Sequence, residues 1–165
     1  MEREKNLIFL SHCILNQNAV VYPLARGKGT YNHVVMEIMK RNIGIVQIPC
    51  AEMIHKGIER NPMSKKEYDT NEYRILCKGL AKDLVYTIKN YMENGYNIIG
   101  IIGINKSPTC GIRGDMGIFF EELFDILNKY EIEMNYMDVP TSYMEHEENR
   151  EFMKELRDFL DLAIR

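Results

Sequence analysis

The sequence predicts a doubly wound α/β domain with a mostly parallel sheet. Short, continuous apolar runs alternate four times with amphipathic helical stretches. The runs lack a polar alternation, as strands covered on both faces do. A chain of 165 residues, 45% of them hydrophobic, is the size of one domain spanning residues 1–165. Such a domain buries a core without disulfide staples.

The elements follow in order. Residues 7–10 (LIFL) read as the first strand. Thr30 stands where it would cap a helix carrying Tyr31, Val34, Val35, Ile38 and Met39 on one side. Residues 43–48 (IGIVQI) read as the second strand. Ser64 and Glu67 have capping-box spacing and are expected to open a long helix ending near Gly95. Its stripe is Tyr73, Leu76, Leu80, Leu84 and Ile88. Residues 98–104 form the third strand, central and buried on both faces. Phe120, Leu123, Phe124 and Leu127 mark a helix, residues 134–139 a fourth strand, and Phe152, Leu156, Phe159, Leu160 and Ala163 a last helix. Two connections, 11–29 and 105–117, exceed the usual length of about 2–6 residues. Both leave the carboxyl end of a strand, where open α/β sheets place their ligands.

Composition removes several function classes. Lys plus Arg number 21 against 24 Asp plus Glu, a net charge of −3, so no basic excess exists to track a phosphate backbone. The apolar run 98–104 is too short to cross a bilayer. The run 7–10 is broken at once by Ser11 and His12, so it makes no signal-peptide core. The expected compartment is the cytoplasm, where four cysteines stay reduced and serve as core residues, catalytic thiols or metal ligands.

Cys13 follows the first strand, Cys50 the second and Cys110 the third. None is paired in a local CxxC, which removes a zinc-ribbon reading. On neighbouring parallel strands, all three would nevertheless meet at one edge of the sheet. Cys77 differs: it lies inside the long helix, four residues before Ala81, and reads as a core residue. Three close thiolates repel one another, and a cation or cluster is the natural means of holding them. A cubane iron–sulfur cluster normally takes four cysteines; with three, one iron keeps an open position. A Cys₃ zinc site with bound water, serving a hydrolase, is an alternative. A non-catalytic iron–sulfur sensor or electron carrier is another.

Neighbouring residues offer acid–base chemistry. Residues 107–111 (SPTCG) form a turn, and Ser107 either brings a hydroxyl near Cys110 or caps that turn. Glu52, two residues after Cys50, is a candidate proton carrier or a solvated carboxylate at a helix start. His12 is expected to point away from Cys13 if the strand pleat continues. Lys106 and Arg113 read as solvated loop charges or as holders of an anionic substrate. The acidic cluster Glu145, Glu147, Glu148 and Glu151 suits the start of the last helix.

Three motifs, FLSHCILN (9–16), QIPCAE (47–52) and KSPTCG (106–111), together resemble those of the thiouracil desulfidase family and its small relatives. The resemblance covers about residues 7–114, with order and spacing matching. It implies a Rossmann-like domain holding an oxygen-sensitive [4Fe-4S] cluster through Cys13, Cys50 and Cys110. It also implies removal of sulfur from a small thiolated compound as hydrosulfide, without net redox change. By position, Ser107 matches a serine that assists proton transfer, and Glu52 the acidic residue near the second cysteine. The sequence departs from the family pattern at Thr109, where serine is usual, and at Ala51, where proline is common. The stretch after Cys13, ILNQNAVVYP, also differs from the Gly- and Arg-Tyr-Asp-containing loop of many relatives.

Overall fold

A computed structural model describes residues 1–164. Its four strands, β1 (Asn6–Leu10), β2 (Gly44–Gln47), β3 (Asn97–Ile104) and β4 (Tyr136–Val139), form one all-parallel sheet in the order β2-β1-β3-β4. The predicted class and the four strands are observed, and β1 and β3 are the interior pair.

Helices cover both faces. On one side, α2 (Asn32–Met39) and α7 (Arg150–Ala163) pack Val34, Ile38, Phe152, Leu156 and Leu160 onto Ile8, Leu10, Ile102 and Met137. On the other, α5 (Asn71–Glu93) and α6 (Ile118–Lys129) set Tyr73, Ala81, Ile88, Phe120 and Leu123 against Phe9 and Ile101. Because β1 leads to a helix on one face and β3 to a helix on the other, a crevice opens between their carboxyl ends. This two-sided burial explains why β1 and β3 are nearly uniformly apolar.

The local signals needed three corrections. Thr30 is not a helix cap; Tyr31 occupies that position, while Thr30 Oγ1 donates to the Leu15 carbonyl at 3.3 Å. The Ser64–Glu67 capping box exists, but it opens only the short α4 (Lys65–Tyr68). The chain breaks at Asp69, and Thr70 caps α5 by accepting from Tyr73 N–H. The strand pleat also stops before His12, because the chain turns directly into α1 (His12–Leu15).

Candidate functional site

The carboxyl ends of β2, β1 and β3 lie side by side, and each is followed by one of the three singled-out cysteines. Cys13 sits in α1, half-buried, with its carbonyl accepting from Gln17 Nε2 at 2.7 Å. Gln17 in turn accepts from Arg26 N–H at 2.9 Å, so one buried amide ties Cys13 to the far arm of the long loop. Cys50 is the N-cap of α3 (Ala51–Lys56), and its sulfur accepts from Met53 N–H at 3.5 Å.

Cys110 is positioned by a turn that hydrogen bonds hold at both ends. The Cys110 carbonyl accepts from Ile104 N–H at 2.7 Å, returning the turn onto the end of β3. The first amides of α6 would otherwise be orphaned. Instead, Ile118 N–H donates to Pro108 and Phe119 N–H to Thr109. Two glycines allow this close docking. A β-carbon on Gly117 would lie 2.3 Å from the Thr109 carbonyl carbon, and one on Gly103 would lie 2.6 Å from the Cys110 carbonyl oxygen. Beneath the turn, the buried Asp138 accepts from Ile112 N–H at 3.1 Å and Arg113 N–H at 2.8 Å. Burial raises its pKa, and those amides pull it back only in part.

The three thiols share one cavity of about 340 Å³ with Glu52, Ser107, Arg26, Arg60 and Lys106. Its apolar wall includes Val20, Val21, Leu24, Pro62 and Met63. A larger groove of about 710 Å³ between α5 and α6 contains no cysteine and is edged by surface lysines. Burial pushes the Cys13 thiol up to about 12; neighbouring Cys50 adds to the rise and Arg26 opposes it. Burial also raises Cys50, with the Met53 amide working against it. Cys110 lies well above an ordinary thiol, first through burial and then through Cys50 and Cys13. Charge on one thiol therefore makes its neighbours harder to ionise. Cys77 is fully buried in the core between α5 and α6 and lines no part of this cavity.

Among the described residues, no group of three or more His, Cys, Asp or Glu side chains is arranged to hold a single metal ion. A single zinc would require sulfurs about 3.8 Å apart, given Zn–S bonds of about 2.3 Å. The cavity's donor set is of a kind that suits a cluster: three sulfurs, an amide directed at one of them, and a buried hydroxyl beside another. That hydroxyl is Ser11 Oγ, which has no hydrogen-bond partner and lies near enough to Cys110 to favour its thiolate without meeting hydrogen-bond geometry.

Both candidate proton carriers line the cavity, and each also has a structural role. Ser107 Oγ accepts from Cys110 N–H at 3.0 Å and Thr109 N–H at 3.3 Å, leaving its own hydrogen uncommitted. Glu52 Oε2 accepts from Arg60 Nε and Nη2, both at 3.3 Å, and from the Tyr68 hydroxyl at 3.4 Å. Thr109 is buried and pairs its hydroxyl with Tyr73 at 2.7 Å, so it serves the core. His12 does not line the cavity; its Nε2 is buried without a partner, and burial lowers its pKa. Arg113 is drawn off to Glu155 at 2.7 Å.

Sequence reasoning missed Arg26, Arg60 and Asp138. Arg60 has a side chain only 4% exposed and joins Glu52 to the carbonyls of Gly57 and Ala19. Arg26 lies over the Tyr31 ring and donates to the Pro140 carbonyl. A charge inside the apolar strand YMDV was a legible signal for Asp138. Nothing local distinguished the two arginines.

Fold and site together define an all-parallel α/β protein with a cysteine-lined cavity at the reversal point of its sheet. The chain belongs to the same family as the uncharacterized protein MJ0003 of Methanocaldococcus jannaschii. The two are 39% identical over 156 residues, covering 94% of this chain and 97% of that protein. No protein-family model and no solved structure matches the chain. Among the described residues, no helix is long and apolar enough to cross a membrane.

Proposed function

We propose that the chain holds a [4Fe-4S] cluster on Cys13, Cys50 and Cys110 and removes sulfur as hydrosulfide from a small thiocarbonyl compound. The observation that carries this reading is the meeting of three thiols, from three adjacent strand ends, on the wall of one ligand-sized cavity. The three motifs resembling thiouracil desulfidases support it separately. An open cavity beside the thiols favours an enzyme over an electron carrier, which needs no substrate pocket. A reducing cytoplasm suits the reading, since it keeps the thiols available.

When bound, such a cluster supplies an open iron acting as Lewis acid and sulfur acceptor. The chain's own residues bind, orient and move protons. Val20, Val21, Leu24 and Met63 form an apolar wall that excludes bulk water from the compound's ring or chain. Water's oxygen replaces sulfur on the carbon, so thiocarbonyl plus water becomes carbonyl, hydrosulfide and one proton. Glu52 Oε1, left free while Oε2 is held by Arg60 and Tyr68, is placed to receive that proton. Ser107 Oγ offers its uncommitted hydrogen on the opposite motif.

The test is anaerobic reconstitution followed by a sulfide assay on thiolated pyrimidines, purines and thioamides. The expected result is sulfide and oxo product in equal amounts. A fully loaded chain that releases no sulfide from the whole panel contradicts the proposal.

A further inference from the structure

Ser11 joins the end of β1 to α1, and both of its backbone groups are engaged. Its N–H donates to the Ile102 carbonyl at 3.0 Å, and its carbonyl accepts from Ile14 N–H at 3.0 Å. A serine in this N-cap position ordinarily turns its hydroxyl back to accept from an amide of the first turn. Ser11 makes no such bond. The residue is fully buried, and its Oγ has no hydrogen-bond partner among the described residues. It lines no part of the cavity, so a bound substrate does not supply that partner either. A hydroxyl in such surroundings is unfavourable until an acceptor reaches it.

The sulfur of Cys110 is the acceptor within reach. The two lie close together without meeting hydrogen-bond geometry. Burial, then Cys50, Cys13 and Glu52, disfavour a thiolate at Cys110, and the Ser11 hydroxyl works the other way. A protonated thiol is a poor acceptor, whereas a sulfur that carries charge or ligates iron accepts a charge-assisted bond. Cys50 already has a donor of its own in Met53 N–H, at 3.5 Å.

From this we infer that Ser11 is a positioning residue for the cluster, its Oγ–H donating to the Cys110 sulfur when that sulfur ligates iron. The inference rests on the cluster half of the proposed function and not on sulfur removal. A hydrogen bond to a ligating sulfur withdraws electron density. It therefore strengthens the ligand's hold, favours the reduced cluster and raises its potential.

The test is Ser11→Ala, which removes one oxygen and keeps the packing. Its thermal melt is compared with that of the wild type before loading. After anaerobic reconstitution, the rate of iron release to a chelator and the reduction potential of the cluster are compared as well. Before loading, the variant should melt at or above the wild type, because it loses a hydroxyl that has no partner. After loading, it should release iron about tenfold faster and show a lower potential. A purely structural serine would lower the first melt and leave the potential alone. A lower melt before loading, an unchanged or raised potential, or a wild-type release rate overturns the inference. A wild-type chain that takes up no cluster overturns it together with the cluster reading. If the Ser11 effects appear but no thiolated compound yields sulfide, the desulfidase reading fails while the role of Ser11 stands.

Discussion

Cys77 and Cys110 pack against the same core cluster, and burial raises the pKa of both thiols. They differ in what lies beyond the sulfur: core for Cys77, the cavity and two further thiols for Cys110. Cys77→Ala should cost about 1–2 kcal/mol of stability as a small core truncation, with iron content unchanged. Alanine at position 13, 50 or 110 should strip most of the iron, as measured by iron per chain in four variants prepared together. Equal iron loss in Cys77→Ala would give the cluster a fourth ligand and remove its open position. Ser107→Ala should keep the cluster and slow turnover by about 10²–10⁴-fold. A wild-type rate would reduce Ser107 to a turn residue. The thiols also fix a pH dependence for the metal-free chain. A thiol raised to about 12 is protonated at neutral pH, and its thiolate fraction grows about tenfold per pH unit below that value. Alkylation of Cys13 by iodoacetamide should therefore be far slower than for an unfolded cysteine at about pH 8, and should accelerate steadily as pH rises. Fast labelling at neutral pH would show the site to be open to water.

At the scale of elements, the turn 107–111 docked on the start of α6 decides whether the site exists. Gly117→Ala places a β-carbon against Thr109 carbonyl and Cys110 amide atoms, with backbone rather than a flexible side chain in the way. The expected cost is about 1–3 kcal/mol together with weakened cluster retention. Gly79→Ala is the contrast: it lies exposed in α5 with nothing near its β-carbon and should stabilise by about 0.5–1 kcal/mol. Thermal melts of both variants check the pair. The strands and long helices were legible because buried runs and helical stripes span many residues. The short α1 was not, since a single turn carries no periodicity, and α3 and α4 were legible only at their starts. The Ser64 capping box marks a helix start but not the start of the long helix: its helix ends at Tyr68, and the break at Asp69 separates it from α5.

For the whole molecule, the strand order β2-β1-β3-β4 does what no single motif does. It sets three cysteines, distant in sequence, at adjacent strand ends and leaves the fourth inside α5, facing the core. That gathering was foreseeable from strand alternation only if the three strands are neighbours: parallel strands all present their carboxyl ends to one edge, and the order β2-β1-β3 makes them adjacent. The arginines were not foreseeable. Arg60 reaches the site by crossing to Ala19 and Glu52, and Arg26 through a loop tied by Gln17, contacts that exist only once the chain is folded. The central claim is that the gathered thiols hold one cubane cluster. Its most direct test is to count iron and acid-labile sulfide in the chain after anaerobic reconstitution, alongside an absorption spectrum. About four of each per chain and a brown protein are expected; a colourless chain, or one carrying stoichiometric zinc instead, would contradict the cluster assignment.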